Sequence, residues 1–236
     1  MASLGSVAEL HRYPVKSLGG DVVPSAEVDA RGLAGDRAWA VTDAEGKLGS
    51  GKSTRRFRRM DGLLDLSATY DGGRVPVITF PDGQRVSGDD ADVHGALSRH
   101  LRRDVRLRLE GDVSHFDEGP LHLVTTAAMT VLAEAHGGPV GTARLRPNLL
   151  IELPTMTGLI EDGWIGRVLA IGPDLVVRIR EPMVRCVMVN LSQVGLPADT
   201  GLLNTTASLN DAAFGVVADV LSPGLVSLND PVNLVR

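Results

Sequence analysis

Cysteine occurs once in the 236 residues of this chain. A single cysteine closes no internal disulfide, so a reducing cytoplasm is the expected setting. It also excludes an ordinary protein-bound iron–sulfur cluster, which takes four thiolates. Aromatic residues are scarce too, with Phe 4, Trp 2 and Tyr 2, too few for a platform on which nucleobases stack. Positive charge is not in excess. The net charge of -5 argues against a nucleic-acid or anionic-membrane surface. No apolar run approaches the roughly 20 residues of a membrane helix. The N-terminus, Met-Ala-Ser-Leu-Gly-Ser, lacks the basic start and apolar block of a signal peptide. No Gly-rich dinucleotide fingerprint follows a strand in a βαβ unit, and no G-x-S-x-G elbow occurs. The six His residues are scattered, and His94 and His100 lack the i, i+4 spacing of a helical zinc site.

What is present is ordinary for a globular protein: 43% hydrophobic and 22% charged, enough for one large domain or two small ones. Short apolar runs punctuated by Gly and Pro predict strands over 4–15, 21–29, 39–41, 62–70, 74–80 and 104–109. Further strands are predicted over 148–153, 167–171, 175–180, 183–190, 215–221 and 231–235. Val93, Leu97 and Leu101 recur every four residues and predict a helix over 90–101. Thr125 or Thr126 caps a second helix over 127–136, closed by Gly137-Gly138-Pro139. A helical turn is expected over 208–214. The polar, Gly-bounded stretch 111–119 reads as a junction. The strands do not alternate with helices, which disfavours a parallel doubly wound sheet. The expected fold class is mainly β with a few helices (α+β), in barrel or sandwich sheets.

Four stretches carry chemistry. Cys186 sits beside Arg185 in a segment otherwise apolar at Val187, Met188 and Val189. Such a cysteine is ordinarily a small buried hydrophobe. With a neighbouring cation it becomes a candidate thiolate, the form that binds soft transition metals or attacks electrophiles. Lys16-Ser17 ends a strand with a charge and a hydroxyl side by side, suited to phosphate or simply to an exposed strand end. Arg37 follows the loop Gly32-Leu-Ala-Gly-Asp36 and offers a forked donor to phosphate, or a structural pairing. Arg146-Pro147-Asn148 offers a planar donor pair for a heterocycle edge, or satisfies loop backbone. A fifth string, Gly46-Lys-Leu-Gly-Ser-Gly51-Lys52-Ser53, satisfies the P-loop pattern. A hairpin-like turn precedes it and the basic run 54–59 follows, so it lacks the strand–loop–helix context that cradles phosphate. The basic run reads as a solvated face or as an attractor of an anionic ligand.

The ordered set resembles the MOSC family, named for the molybdenum-cofactor sulfurase C-terminal domain. The resemblance runs through Tyr13-Pro-Val-Lys-Ser17, Gly32-Leu-Ala-Gly-Asp-Arg37 and Leu145-Arg-Pro-Asn148. It continues through Glu161-Asp-Gly-Trp164, Arg185-Cys186, Phe214-Gly-Val-Val-Ala-Asp-Val220 and 223–232. It implies a MOSC N-terminal β-barrel region over 1–110 and a MOSC β-barrel over 111–236, with the pyranopterin molybdenum cofactor between them. It further implies that Cys186 ligates molybdenum and is catalytic. Lys16, Ser17 and Arg37 then hold the cofactor phosphate, and Arg146 and Asn148 contact the pterin. Thr125 and Arg185 complete the expected cofactor-binding set. Three features depart from the family's pattern: Asn190 stands at a usually acidic position, Pro182-Met183-Val184 replaces the usual Pro-Cys before Arg-Cys, and the Gly49–Ser53 insertion is not a general feature.

The implied activity is that of a molybdenum-dependent oxidoreductase of N-oxygenated small molecules, similar to the amidoxime-reducing members and independent of pyridoxal phosphate. The alternative is a cofactor or sulfur carrier in which Cys186 bears a persulfide. With one cysteine, no dinucleotide motif and no redox domain before Arg236, the reductase takes its electrons from a separate ferredoxin-like, flavin or haem protein.

Overall fold

The computed structural model describes residues 3–235; Met1, Ala2 and Arg236, the outer ends of the two expected halves, lie outside the described residues. The chain is mainly β with a few helices, as its punctuation predicts. Residues 39–43, 48–50, 57–59 and 105–109 form one small sheet, and 67–70, 76–79 and 85–87 form another. Helix α1 (Val93–Leu101) turns Val93, Ala96, Leu97 and Leu101 inward. These join Val15, Leu18, Leu63, Leu66, Ile78 and Leu107 in a core of their own.

Seven strands close a barrel: β1 (Gly5–Arg12), β2 (Leu121–Thr125), β3 (Leu149–Glu152), β4 (Val168–Ile171), β5 (Leu175–Val184), β6 (Ala213–Ser222) and β7 (Pro231–Val235). Around the barrel the order is β3-β2-β6-β5-β4-β7-β1, and β1 pairs again with β3 to close the ring. Every junction is antiparallel except β2–β3. Parallel neighbours need a crossover, and α2 (Thr126–His136) supplies it. Leu10, Leu123, Leu149, Leu169, Val177, Val216 and Val232 fill the interior with no exposure. Closure leaves the barrel no free edge. It also takes the first strand of the chain into a ring whose other strands all follow residue 120.

The sequence-based boundaries fail where proline or packing intervenes. The strand expected over 21–29 splits into 21–22 and 25–29 at Pro24, which has no N–H to give the ladder. The first half of the strand expected over 62–70 is a 3₁₀ turn, Leu63–Asp65, opened by Gly62 at φ 86°. The strands expected at 175–180 and 183–190 are one strand, β5, which ends at Val184. Its pairing with β6 slips at Ile179/Glu181 and again at Pro182/Val184, so the chain peels off the sheet there. Cys186 therefore stands just past the strand, followed by a 3₁₀ turn, Val187–Asn190. Helix α3 (Leu202–Asn210) replaces the turn expected at 208–214. Its Asn and Thr residues have weak helix propensity, and burial of Leu202 and Thr206 holds it. The P-loop string has no phosphate cradle: Leu48–Ser50 is a strand, and no helix follows Lys52. No helix among the described residues is long and apolar enough to cross a membrane.

Truncating a barrel-interior side chain removes its transfer free energy and leaves a cavity. Leu10→Ala is expected to cost about 2–5 kcal/mol in urea unfolding. Leu225→Ala, at a residue 50% exposed, is expected to stay within about 0.5 kcal/mol of the parent.

Candidate functional site

A cleft opens where the end of the barrel meets the N-terminal sheets. Its lining includes Lys16, Ser17, Arg37, Arg146, Asn148 and Arg185-Cys186. Seven of the eight residues expected at the site from sequence thus converge, from stretches 170 residues apart in the chain. Beyond Arg12 the chain leaves the barrel through Tyr13-Pro14-Val15, and Val15 bridges to Trp39 of the neighbouring sheet. This crossing delivers Lys16 and Ser17 to the cleft. The Gly32–Arg37 loop returns beneath it. The Tyr13 N–H donates to Asp36 Oδ1 at 2.8 Å, and the Arg37 N–H donates to the Tyr13 carbonyl at 2.6 Å. Arg146 follows a short helical turn, Thr142–Leu145. Ser17, Arg37 and Arg146 all have left-handed backbones, with φ of 67°, 49° and 53°. Each costs about 1–2 kcal/mol in a non-glycine residue. Strain of this kind concentrates where surroundings impose a functional geometry.

The charges in the cleft do not balance. Lys16 is buried, pairs with Asp117, and lies 4.6 Å from the centre of the Phe57 ring. Burial draws its pKa down to about 8 against the pull of Asp117. Arg37 pairs with the fully buried Asp36, which overcomes burial and raises the guanidinium pKa. Arg146 has no carboxylate partner among the described residues, and its buried Nη2 donates to nothing. Burial, then repulsion from Arg37, lowers its pKa to about 10. Both guanidinium groups lie over Tyr13, at 4.8 Å for Arg37 and 4.2 Å for Arg146. That ring cannot be their counter-ion, because burial pushes the Tyr13 phenol up to about 12. An unpaired buried guanidinium is costly, so the geometry fits a bound anion between Lys16, Arg37 and Arg146.

Arg185 plays a different part from the one its neighbour suggests. Its guanidinium turns inward, donating from Nε to the Phe214 carbonyl at 2.8 Å and from Nη1 to the Leu145 carbonyl at 2.9 Å. Nη2 donates to Nε2 of His122 at 2.5 Å. Burial lowers its pKa to about 9. The backbone of Gly215 makes room for this network. It has φ 75°, and a side-chain carbon there would come within 2.6 Å of the Leu123 carbonyl. His122, accepting from Arg185, directs its other ring nitrogen to the Arg146 carbonyl at 3.3 Å. That arrangement fixes a neutral imidazole with the proton on Nδ1. Burial and then Arg185 hold its pKa well below the usual 6.5. The Arg185 fork therefore splints the segment that carries Cys186. Cys186 is half-buried where it lines the cleft, and Lys52 Nζ stands 3.5 Å from its sulfur.

Two expectations need correction or refinement. Thr125 does not line the cleft. It is fully buried, its hydroxyl oxygen accepts from the Ala128 N–H as the cap of α2, and its proton goes to Glu161. Asn148 lines the cleft, but its amide bridges backbone, accepting from the His122 N–H and donating to the His11 carbonyl. One donor and one lone pair are left for a ligand. Sequence reasoning missed Asp117, His122 and Lys52. Lys52 was visible inside the P-loop string, where the wrong context masked it. Asp117 lies in the polar junction, and no local pattern singled it out.

The chain is similar to known proteins along nearly its whole length. The MOSC domain family matches residues 90–233, and the MOSC N-terminal beta barrel domain matches residues 4–116. Mitochondrial amidoxime-reducing component 1 of Homo sapiens is 24% identical, over 99% of this chain and 84% of its own length. The Mus musculus protein of that name is 25% identical, over 99% and 83%. The crystal structure of the YUAD protein from Bacillus subtilis shares the fold, with a TM-score of 0.52 and 15% identity over 97% of this chain and 93% of that one.

The neutral His122 makes a pH prediction. Above about pH 6.5 the imidazole is neutral in both folded and unfolded chains, and it contributes nothing to the pH dependence. Below that, the unfolded chain takes up a proton that the folded site refuses, so stability falls as pH falls. The expected contribution is up to about 1.4 kcal/mol per pH unit. Urea unfolding between pH 7 and 5 is expected to show a shallower decline in His122→Gln. Equal slopes in both proteins refute a neutral buried His122.

Proposed function

The chain belongs to the MOSC family, and from that membership we propose that its cleft binds the pyranopterin molybdenum cofactor and reduces N-oxygenated compounds. The observation that carries this reading is the unpartnered, buried guanidinium of Arg146 beside Lys16 and Arg37, in the same cleft as the only cysteine. The donor set fits the group at both ends. Three cations suit a phosphate, and a thiol suits a soft or high-valent metal better than a hard one. Lys16 and Arg37 hold the phosphate together with Arg146, which the family resemblance assigned to the pterin, while the Ser17 hydroxyl beside them donates to the Gly49 carbonyl at 3.1 Å. The free donor and lone pair of Asn148 face the pterin, and Cys186 Sγ is the metal ligand. When bound, the cofactor supplies two-electron oxygen-atom chemistry that no side chain here supplies.

The rest of the work belongs to the protein. The Arg185 fork and neutral His122 keep the strand-end segment in place behind the sulfur. Because His122 already accepts from Arg185 and donates to a carbonyl, it is not the proton donor of the reaction. Asp117, partly exposed and partnered with Lys16, is available to relay protons. Burial would raise its pKa, but Lys16 holds it low. The two electrons come from a separate electron-transfer protein, since one cysteine cannot hold an iron–sulfur cluster.

Protein from a cofactor-competent host is expected to carry stoichiometric molybdenum. It is expected to reduce benzamidoxime with a strong chemical reductant and not with NADH alone. Lys16→Ala and Arg146→Ala each remove a charge-assisted contact of about 1.5–3 kcal/mol. Each is therefore expected to weaken cofactor retention roughly 10–100-fold, read as molybdenum content after dialysis. Cys186→Ser is expected to fold and to lose reductase activity. Molybdenum occupancy unchanged in the Lys16/Arg146 double variant sinks the phosphate assignment. Cyanide-labile sulfur without molybdenum moves the protein to the carrier class.

A further inference from the structure

Two cleft cations are left unused by the cofactor reading: Arg144, which donates to the carbonyls of Val189, Leu191 and Pro197, and Lys52. Lys52 lies 5.5 Å from the centre of the Phe57 ring, and its one polar side-chain contact among the described residues is Cys186 Sγ. Lys16 has Asp117, Arg37 has Asp36, and Arg185 has two backbone carbonyls and His122. An ammonium group has three donors, so two of those on Lys52 have no protein partner among the described residues.

Its position is built rather than incidental. Lys52 follows Gly51, whose N–H donates to Met188 Sδ at 3.2 Å. The Ser50 hydroxyl points at the same sulfur from 3.8 Å. A side-chain carbon on Gly51 would fall 2.4 Å from Leu191 Cδ1 and 2.6 Å from Met188 Sδ, so the 50–52 backbone lies flush on the turn that follows Cys186. A loop of the N-terminal sheets thus grips the cysteine segment of the barrel and fixes an ammonium group beside the sulfur.

We infer that Lys52 and Cys186 frame a second anion subsite in the cleft, apart from the Lys16–Arg37–Arg146 cradle, which takes a negatively charged oxygen of the substrate. The chemical class is a carboxylate, hydroxamate or N-oxide oxygen. Such an oxygen accepts from the two free Lys52 donors, whereas a neutral oxime gives them a weaker acceptor. The consequence for turnover rests on the reductase reading: substrates with an anionic N–O oxygen are favoured over neutral amidoximes. The subsite itself needs no metal.

Because the chain has one cysteine, alkylation of the cofactor-free protein probes the subsite directly. Iodoacetate carries a carboxylate and iodoacetamide does not, and both alkylate Sγ with loss of iodide. The ratio of their rates cancels the fraction of thiolate and reports the local preference for an anion. We expect this ratio, measured by intact mass, to fall roughly three- to tenfold in Lys52→Met, the loss of one charge-assisted contact at a half-buried site. Lys52→Arg is expected to retain it. In molybdenum-loaded protein, assayed at a pH above the pKa of the hydroxamic acid and below that of an ordinary lysine, Lys52→Met is expected to raise KM for benzohydroxamate by a similar factor and leave that for benzamidoxime within twofold. An unchanged alkylation ratio in Lys52→Met overturns the subsite, as does a ratio in Lys52→Arg as low as in Lys52→Met. Equal KM changes for the two substrates overturn the substrate preference. A parent protein that takes up no molybdenum sinks the reductase reading alone, and the alkylation ratio still decides on Lys52.

Discussion

The structure is organised around positive charge that it does not neutralise. Folding brings Lys16, Arg37, Arg146 and Arg185 together, and only Lys16 and Arg37 receive a carboxylate. Arg185 is satisfied by neutral acceptors. Among the described residues nothing accepts from one buried nitrogen of Arg146. A protein selected for stability alone would not keep that group, since removing it or giving it a partner relieves several kcal/mol of desolvation. The left-handed backbones at Ser17, Arg37 and Arg146 add strain in the same direction. An anion bound as proposed would offset both terms.

Barrel closure makes this concentration possible. Because β1 pairs with both β7 and β3, the segment after Arg12 emerges at the barrel rim beside the strand ends that carry Arg146 and Cys186. The loop at 50–52 then seals the other side through Met188. Neither half of the chain holds the site alone: the phosphate-type cations come mostly from the first, the thiol and its Arg185 splint from the second. The two family matches overlap over 90–116 rather than abutting, which is consistent with a chain whose first strand belongs to its last barrel.

The strands were legible because short apolar runs bounded by Gly and Pro leave few other readings. The helix at 93–101 was legible because three apolar residues keep a helical spacing. Strand ends were not. Whether the chain stays in the sheet past Pro182 depends on register slips against β6, a property of two strands rather than one. Helix α3 was largely hidden, because its Thr and Asn residues fold by packing and not by propensity. Site chemistry followed the same division. Residue types suited to phosphate and metal could be picked out at Lys16, Arg37, Arg146 and Cys186. Partners could not. Of the two threonines offered as a helix cap, Thr125 is the one used, and its hydroxyl is taken up by the Ala128 N–H and Glu161.

The string at 46–53 carries the sharpest lesson about motifs. A P-loop binds phosphate through backbone amides converging at a helix N-terminus, with the lysine as one contributor. Here the preceding residues are a strand, the Gly51 amide is given to a methionine sulfur, and no helix follows. The pattern is present and its mechanism is absent. What survives is the lysine itself, held by that same amide–sulfur contact at a fixed distance from the one cysteine. A glycine that would have cradled phosphate in one context serves in this one to let two segments touch, and the charge beside it acquires a position that the motif alone does not specify.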